Sequence, residues 1–286
     1  MSISVIIPAY NEELSIDKVL KNIETLVSGN GWEVIVVDDG STDKTADIIK
    51  KHKYVRLIKH PYNKGYGAAI KTGINNSHSD LILTIDADNQ HSPQDIKSLI
   101  AGLEEYDLVI GARGKDTKSN FFRNCGNFIL RRLASFLVNV NIPDLTSGFR
   151  AFRRKKILNF MHLYPNGFSI SATSTLAFIS AGYNVKFIPV RMNSRTRGSK
   201  SQIKLFSDGC KFFLLIFRIV TLFNPLKIFF PASLIIFLVG LIYAVVNIFA
   251  ISHIPSGALL AILSALIIFF FGLIADQLSV IGRFRK

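Results

Sequence analysis

Residues 80–91, with the sequence DLILTIDADNQH, decide the fold and the chemistry of this chain. An apolar run at 81–85 leads into two carboxylates, Asp86 and Asp88, which an amide and an imidazole follow. Along an extended strand end, alternation would point Asp86 and Asp88 the same way and turn Ala87 aside. Two carboxylates that close repel each other unless a cation lies between them. Oxygen ligands suit Mg²⁺ or Mn²⁺, whereas a simple Asp-rich turn is the alternative, so the surrounding sequence must decide.

The sequence around this stretch alternates strand-like and helix-like patterns. Apolar, strand-like runs lie at 3–7, 33–37, 55–59, 81–85 and 108–112. Amphipathic, helix-like runs lie between them at 14–26, 44–51, 67–75 and 93–103. This alternation favours an α/β fold with a mostly parallel sheet covered by helices.

Four of the predicted strand ends carry polar clusters. They are PAYNE at 8–12, DDGS at 38–41, DAD at 86–88 and GAR at 111–113. Ligands of parallel sheets bind outside the carboxyl ends of the strands, so these clusters should share one rim. A dinucleotide-binding domain needs a glycine-rich turn after the first strand, and a P-loop needs GxxxxGK followed by Ser or Thr. The chain has neither pattern, which excludes both classes.

The alternation weakens after residue 113. The pattern predicts a basic, apolar helix at 123–138, a loop at 143–149, helices near 153–162 and 171–181, and a strand at 185–190. A basic loop at 191–201 follows. Residues 202–223 carry apolar side chains at helical spacing with interleaved Lys and Arg, which is typical of an amphipathic helix in a membrane interface. A helix packed in a protein core is the alternative.

Two long apolar runs close the chain, at 228–251 and at 258–275, with Asp276 after the second. Each is long enough to cross a hydrocarbon layer of about 30 Å. The short break at 252–257 contains turn formers and no Lys or Arg. These features predict a transmembrane hairpin rather than a buried hairpin of a soluble core.

Basic residues flank this predicted hairpin on both outer sides. Lys227 precedes it, and Arg283, Arg285 and Lys286 follow it. The positive-inside rule therefore places the N-terminal α/β domain and both termini in the cytoplasm of a multi-pass cell-membrane protein. The two cysteines are too few for a disulfide framework and fit a reducing compartment.

The net charge of +14 is unevenly distributed. Residues 1–112 carry 11 Lys and Arg against 16 Asp and Glu, whereas residues 113–286 carry 23 against 4. Basic proteins often bind nucleic acid. Here the basic residues border the apolar hairpin, so anionic membrane lipids or a lipid phosphate are the expected partners and nucleic acid is not.

Several segments together carry a family resemblance. They are VIIPAYNE at 5–12, VVDDGSTD at 36–43, NKGYG at 63–67, DADNQH at 86–91, SGFRAF at 147–152 and SRTRGSK at 194–200. Their order and spacing resemble glycosyltransferase family 2. More narrowly, they resemble the dolichyl- and polyprenyl-phosphate sugar transferases of the dolichyl-phosphate mannosyltransferase type that carry a two-helix membrane anchor. The resemblance implies a Rossmann-like GT-A domain at 1–200, interfacial amphipathic helices at 201–226, and a transmembrane hairpin with a basic tail at 227–286.

The resemblance also implies a nucleotide-sugar site. Pro8, Tyr10 and Glu12 would flank the base and ribose, and Asp39 would accept a hydrogen bond from the base. The neighbouring Asp38 is expected to cap a turn instead.

The DAD segment would bind the diphosphate of the donor. Asp86, Ala87, Asp88 and Gln90 would line it, and Asp86, Asp88 and Gln90 would hold Mg²⁺ or Mn²⁺. The metal would stabilise charge on the departing diphosphate, which makes Asp88 a catalytic residue. His91 is expected to set the geometry of the loop rather than act as a base.

The implied acceptor is a polyprenyl or dolichyl phosphate. Its oxygen is ionised near neutral pH, with a second pKa of about 6 by analogy with phosphoserine, and needs no general base. It does need positive charge, for which the candidates are Arg113, Arg123, Asn127, Arg197 and Lys200. Of these, Arg113 and Arg197 are predicted to be catalytic, and Arg197 is also predicted to contact the donor.

These inferences predict an inverting, metal-dependent transfer of one hexose from a nucleotide sugar, of the GDP-mannose or UDP-glucose type, to the lipid phosphate. One alternative is a lipid or glycan hydroxyl acceptor with Asp144 as base, although a structural role for Asp144 in ordering 147–150 is favoured. Another is a non-catalytic membrane scaffold. The QxxRW motif of processive enzymes is absent, because Trp32 is the only tryptophan. The sequence leaves a homo-oligomer open.

Overall fold

A computed structural model describes residues 2–114, 121–167, 169–190, 214, 217, 221, 224–251 and 253–284. The side chains of 121–127, 129–130, 251 and 281–284 are not described. The predictions for the basic loop at 191–201 and for most of the helix at 202–223 therefore lie outside the described residues. The chain divides into two compact units, Met1–Leu215 and Ile216–Lys286.

The first unit is built on one seven-stranded sheet. Its strands are β1 (Ile3–Ala9), β2 (Glu33–Asp38), β3 (Val55–Lys59), β4 (Leu81–Thr84), β5 (Leu108–Arg113), β6 (Arg150–Arg153) and β7 (Val185–Val190). Their spatial order is β3-β2-β1-β4-β6-β5-β7. Only β6 runs antiparallel to its neighbours, and all other pairs are parallel. The mostly parallel α/β sheet expected from the sequence is confirmed.

Helices connect the strands and cover the sheet. They are α1 (Ile16–Asn30), α2 (Thr45–Ile49), α3 (Tyr66–Asn76), α4 (Pro93–Gly102), α5 (Phe121–Val138), α6 (Arg154–Leu158) and α7 (Ile170–Ser180). Local sequence sets their ends. Helix α1 ends at Gly31, whose φ of 64° is the left-handed conformation that glycine adopts without strain. Helix α4 begins at Ser92, whose hydroxyl accepts from the Asp95 amide, with Pro93 at the first helical position.

The carboxyl ends of β1, β2, β4 and β5 lie on the rim that the sequence predicted. All seven residues of β1 are buried, as are all four residues of β4. Because β1 pairs with both β2 and β4, the chain reverses its direction of winding beside β1. Ligands of open α/β sheets bind at such a switch point.

Two sequence predictions for this unit are wrong in detail. The pattern at 150–153 was not predicted to be a strand, and the helix expected at 153–162 is instead α6 followed by one 3₁₀ turn, Met161–Leu163. The DAD segment does not lie on an extended strand either. Strand β4 ends at Thr84, and the chain turns at 87–89 with Asn89 at a φ of 62°.

The second unit contains two helices, α8 (Leu226–Ile251) and α9 (Ser256–Phe284). Both are long and apolar enough to cross a membrane, over Leu226–Ala250 and Ser256–Val280, and only 17% of each span is buried. The predicted runs at 228–251 and 258–276 fall within these helices.

Small residues line the contact between the two helices. On α9, the residues Ala258, Ala265, Gly272 and Ser279 recur every seven positions and are buried. A Cβ at Gly272 would lie 2.6 Å from the Cβ of Phe229 on α8. The helices therefore pack closely through small side chains and leave their large apolar side chains on the outside.

Candidate active site

The loops after β1 and β2 are joined by hydrogen bonds into one wall of the rim. The amide of Asn11 donates to Ser41 Oγ at 3.0 Å, and its side-chain oxygen accepts from the Thr42 amide at 2.9 Å. The amide of Glu12 donates to Thr45 Oγ1 at 2.8 Å. Asn11 can make both bonds because it has a φ of 55°, in the left-handed region that Asn tolerates.

Three predicted donor-site residues belong to this wall. Pro8 is buried within β1, whereas Tyr10 and Glu12 are half-buried at the rim. The Glu12 carboxylate accepts from Ser15 Oγ at 2.6 Å. Their predicted contacts with base and ribose stay predictions.

The paired aspartates after β2 have different roles. Asp38 Oδ1 accepts from the Ser41 amide at 2.9 Å, as expected for a turn cap. Asp39 is 3% exposed, and its two oxygens accept from the amides of Lys64 and Gly65 at 2.9 and 2.8 Å. Asp39 Oδ1 also lies 2.6 Å from His60 Nδ1. Asp39 thus fixes the segment that leads into α3, and its predicted hydrogen bond to the base stays a prediction.

The two carboxylates of the DAD segment lie at the end of β4. Asp86 is half-buried and Asp88 is 6% exposed, while Ala87 between them is turned into the core. The Tyr66 hydroxyl, at the start of α3, donates to Asp86 Oδ1 at 2.8 Å. Burial, with the charges of Asp86 and Asp88, raises the pKa of Tyr66 well above its usual value. Tyr66 therefore stays protonated and remains a donor.

Gly148 packs against Asp86 and against the Tyr66 hydroxyl that is bonded to it. A Cβ at this position would lie 2.5 and 2.8 Å from the two carboxylate oxygens of Asp86. The missing side chain lets the loop before β6 press against Asp86 and, together with Tyr66, hold its carboxylate in place.

We expect Gly148→Ala to displace the Asp86 carboxylate. Binding of Mn²⁺ in the presence of nucleotide diphosphate, followed by electron paramagnetic resonance, should weaken by roughly tenfold, since about 1.4 kcal/mol corresponds to that factor. Gly29→Ala is the matched control, because no atom lies within 4 Å of its Cβ position. Unchanged Mn²⁺ binding in Gly148→Ala would show that this contact does not position Asp86.

Gln90 and His91 follow the two carboxylates. The Gln90 amide donates to Asp88 Oδ1 at 3.3 Å, and the Gln90 side chain is half-buried. The His91 ring stacks on Phe149, with centroids 4.2 Å apart and planes 21° from parallel. Burial lowers the pKa of His91, and its ring nitrogens have no hydrogen-bond partner among the described residues. A neutral, stacked imidazole fits the predicted role in loop geometry.

Arg113, at the end of β5, is held by Asp144. Arg113 Nε and Nη2 donate to the two oxygens of Asp144 at 2.7 and 3.0 Å, a bidentate pair. Asp144 also accepts from the amides of Arg113, Thr146 and Ser147. Burial favours a higher pKa for Asp144, but Arg113 and the amides lower it below the usual 3.8. Arg113 ends β5 on the same rim of the sheet as the DAD segment, which follows β4.

Arg150 lies beneath this site and was not singled out from the sequence. It is 3% exposed, and its guanidinium donates to Ser147 O at 2.9 Å, Ser171 O at 2.8 Å and Ser174 Oγ at 2.7 Å. Burial among these neutral partners lowers its pKa to about 10. Arg150 therefore ties the loop before β6 to α7. An Arg inside an apolar strand sequence was the signal that could have revealed it.

The other predicted acceptor residues cannot be placed. The side chains of Arg123 and Asn127, on α5, and all of Arg197 and Lys200 lie outside the described residues.

The donor atoms of the DAD segment suit a divalent ion that arrives with its substrate. Among the described residues, no group of three His, Cys, Asp or Glu could hold a metal ion. Two carboxylates and the Gln90 amide are hard oxygen donors, and Mg²⁺ typically takes one or two protein carboxylates, several waters and substrate phosphates. The residues fit a metal–diphosphate complex better than a resident metal held by protein alone.

Comparison with known proteins identifies the family. The family model described as glycosyl transferase family 2 matches residues 4–159, and the chain belongs to this family. A second model, described as the GtrB C-terminal hairpin, matches residues 224–281, which include most of α8 and α9. The chain is thus a glycosyltransferase with a hairpin of two apolar helices.

Curated relatives support this assignment. The chain is 33% identical over 202 residues to uncharacterized protein MJ1222 of Methanocaldococcus jannaschii, which covers 66% of this chain and 80% of that protein. It is 32% identical over 216 residues to dolichol-phosphate mannosyltransferase of Pyrococcus furiosus, covering 71% and 60%. It is also 32% identical over 159 residues to undecaprenyl-phosphate 4-deoxy-4-formamido-L-arabinose transferase of Salmonella paratyphi B, covering 53% and 49%.

Solved structures share the fold. Glucosyl-3-phosphoglycerate synthase from Mycobacterium tuberculosis, in complex with Mn²⁺, UDP and phosphoglyceric acid, superposes with a TM-score of 0.63 at 19% identity. The match covers 77% of this chain and 78% of that one. A complex of the same synthase contains Mg²⁺ and UDP.

Proposed function

We propose that this chain is an inverting, metal-dependent glycosyltransferase that moves a hexose from a nucleotide diphosphate sugar to a polyprenyl or dolichyl phosphate at the cytoplasmic face of a membrane. One observation carries the proposal: Arg113, held by Asp144, ends β5 on the same rim of the sheet where Asp86 and Asp88 follow β4. An acidic pair that can hold a metal–diphosphate thus shares this rim with a cation that can attract a second phosphate. The named lipid-phosphate transferases among the relatives and the two apolar helices support this reading.

In this mechanism the lipid phosphate oxygen attacks the anomeric carbon of the donor sugar from the side opposite the diphosphate. The new bond joins that carbon to the phosphate oxygen, and the bond to the diphosphate oxygen breaks, so the configuration inverts. A bound Mg²⁺ or Mn²⁺ would supply charge stabilisation to the leaving diphosphate. Asp86 and Asp88 would hold the metal with Gln90, and Tyr66 would fix the orientation of Asp86.

The remaining residues of the rim bind and orient the substrates. Pro8, Tyr10, Glu12 and Asp39 would bind the nucleoside, in the wall formed by the first two loops. Arg113 would receive the acceptor phosphate, helped by Arg123, Asn127, Arg197 and Lys200. Arginine suits this task because its charge is permanent.

The surroundings of Asp144 disfavour the alternative with a hydroxyl acceptor. A general base works best with a pKa near the operating pH. Asp144 instead has a lowered pKa, and it accepts hydrogen bonds from a guanidinium and three amides. Its geometry fits a residue that positions Arg113 and orders 144–147.

We expect Asp144→Asn to reduce transfer to polyprenyl phosphate by only about tenfold, mainly through KM for the lipid, because Arg113 loses its charged support (about 1.4 kcal/mol). The measurement is steady-state transfer of labelled sugar over a range of pH. Loss of a general base would instead lower kcat by roughly 10²–10⁴-fold and remove one limb of the pH profile.

Stability provides an independent check on the same variant. Because the folded-state pKa of Asp144 is lowered, its contribution to stability is complete above the usual value of 3.8 and is lost as the pH falls below it. Wild type should therefore be more stable than Asp144→Asn at neutral pH. The difference between their free energies of unfolding should shrink as the pH falls below 3.8.

The proposed function is tested with purified full-length protein, labelled nucleotide sugars and polyprenyl phosphate. A chloroform-soluble sugar product should form with Mg²⁺ or Mn²⁺ and disappear with EDTA. Mass spectrometry of that product identifies the sugar and the lipid. Product that forms equally well with EDTA would remove the metal-dependent mechanism, and transfer only to hydroxyl acceptors would remove the lipid phosphate.

A further inference from the structure

His60, the residue after β3, is bonded through both nitrogens of its ring. Its Nδ1 lies 2.6 Å from Asp39 Oδ1, and its Nε2 lies 2.9 Å from Thr72 Oγ1 on α3. The backbone amide of His60 donates to Asp38 O at 2.8 Å, which continues the pairing of β3 with β2. One imidazole thus joins the carboxyl ends of two strands to the helix that follows them.

Burial strengthens the contact between His60 and Asp39. Their side chains are only 5% and 4% exposed. Water competes little for a hydrogen bond in such surroundings, and the low local dielectric makes a bond to a charged acceptor stronger. We therefore expect the imidazole and the carboxylate to keep one geometry relative to each other.

The partners of the ring determine which nitrogen carries the proton. An ionised carboxylate can only accept hydrogen bonds, so Nδ1 donates to Asp39. In the neutral imidazole Nε2 then accepts, and the Thr72 hydroxyl can donate to it. Thr72 thereby holds the ring in the form that His60 needs in order to donate to Asp39.

The Asp39 carboxylate is fixed by three donors. Oδ1 accepts from His60 and from the Lys64 amide at 2.9 Å, and Oδ2 accepts from the Gly65 amide at 2.8 Å. Rotation of the carboxylate about its Cβ–Cγ bond would lengthen these contacts, so together they define its plane. Two of the three donors are backbone amides. His60 is therefore the donor among them that a side-chain substitution can remove.

We propose that His60 is a positioning residue for recognition of the nucleoside base, because it holds the Asp39 carboxylate in the plane in which Asp39 accepts a hydrogen bond from the base. The inference rests on the proposed function, which gives Asp39 that contact. It limits the role of His60 to the base. The metal–diphosphate would be held after β4, and β1 lies between β4 and the strand end that carries Asp39.

The test measures binding to purified full-length protein by isothermal titration calorimetry in the presence of Mn²⁺. UDP and GDP are titrated first, and the nucleotide that wild type binds more tightly is used. It is compared with inorganic diphosphate, which has no base. It is also compared with its own analogue methylated at the ring N–H, N3 of uracil or N1 of guanine, which cannot donate to Asp39.

Three variants change the contacts of the ring. His60→Leu removes the bonds at both nitrogens. His60→Asn keeps an amide N–H close to the position of Nδ1, so it can still donate to Asp39. Thr72→Val removes the donor to Nε2 with little change in side-chain shape, and it provides a second, milder variant if His60→Leu does not fold by circular dichroism.

His52→Leu is the matched control. His52 lies before β3, at the opposite end of that strand from His60. Its side chain is 9% exposed, and its Nε2 lies 3.1 Å from Asp17 Oδ1. The control thus removes a second buried histidine that is paired with an aspartate, but one that lies away from the rim.

We expect His60→Leu to weaken nucleotide binding by about tenfold and Thr72→Val by about threefold, since a bond to a charged group is lost or loosened. Binding of inorganic diphosphate should not change in either variant. Methylation of the base should weaken binding to wild type and to His60→Asn, but it should make little difference in His60→Leu. His60→Asn and His52→Leu should bind the nucleotide within about twofold of wild type.

Steady-state transfer gives a second readout. The KM of His60→Leu for the nucleotide sugar should rise by about tenfold with little change in kcat, which is the result of losing an interaction made equally in the ground state and the transition state. A purely structural role of His60 would instead lower the active fraction of the enzyme, and so reduce kcat without this rise in KM.

Two results would overturn the inference alone. One is wild-type nucleotide affinity in folded His60→Leu or, where that variant does not fold, in Thr72→Val. The other is an equal loss of affinity for inorganic diphosphate, which would assign His60 to the general stability of the rim. If wild type binds the methylated analogue as tightly as its parent, the proposed contact between Asp39 and the base fails together with the inference. If wild type binds neither UDP nor GDP, the proposed nucleotide-sugar donor fails as well.

Discussion

Asp88→Asn should abolish most of the transfer of sugar to the lipid phosphate, by at least about 100-fold in kcat, which is the usual cost of removing one group that stabilises developing charge. Asp88 follows β4 at the rim and is 6% exposed. The substitution removes one of the two negative charges proposed to hold the metal and keeps the size of the side chain. Mn²⁺ binding in the presence of nucleotide diphosphate should fall with activity.

Asp80→Asn is the matched control for this prediction. Asp80 precedes β4, at the opposite end of the same strand, and is exposed. It loses the same charge without touching the rim, so its activity should match wild type. Full activity of Asp88→Asn, with normal dependence on metal, would contradict the role of the DAD segment. Circular dichroism of both variants separates a local effect from misfolding.

Arg150→Met should produce the largest loss of stability among the substitutions proposed. The guanidinium satisfies the carbonyls of Ser147 and Ser171 and the hydroxyl of Ser174, all buried. Ser171 O and Ser174 Oγ keep hydrogen bonds within α7 without Arg150, but three bonds to the charged guanidinium are lost. Each such bond contributes about 1.5–3 kcal/mol, so the total should exceed about 3 kcal/mol. For a unit of this size, about 1 kcal/mol shifts the melting temperature by roughly 2–4 °C. The apparent Tm in detergent should therefore fall by roughly 6 °C or more.

Arg56→Met is the control for this prediction. Arg56 lies on β3, its side chain is 48% exposed, and its ion pair with Glu33 spans 3.5 Å. Exposed pairs of this kind contribute about 0–1 kcal/mol. A Tm for Arg150→Met equal to that of Arg56→Met would mean that water replaces the guanidinium, and that Arg150 does not hold the loop before β6 to α7.

The sequence predicted the parallel strands and the shared rim because apolar runs and polar strand ends report directly on a sheet of this kind. It did not predict β6, which is four residues long and has an Arg at each end. Its pairing with β4 and β5 is a tertiary event that local propensity does not encode. The buried hydrogen bonds of Arg150 were not predicted for the same reason, since its partners on α7 lie more than 20 residues further along the chain.

Two details of the site depended on backbone geometry that spacing could not supply. The DAD segment turns because Asn89 adopts a left-handed conformation, so strand alternation does not describe it. Gly67, at the start of α3, permits close packing, since a Cβ there would lie 2.8 Å from Gly167 O, and the Ala68 amide donates to Asn166 O at 3.1 Å.

The even spacing of Ala258, Ala265, Gly272 and Ser279 has a mechanical consequence for the hairpin. A seven-residue period is shorter than two full α-helical turns, so a pair of helices that keeps it must wind around each other with a left-handed twist. One extra residue inserted between Ala265 and Gly272 would rotate the rest of the helix by about 100°. Gly272 and Ser279 would then no longer lie in the contact between the two helices. An insertion of seven residues would preserve that phase, so length can be added to this pair only in whole periods.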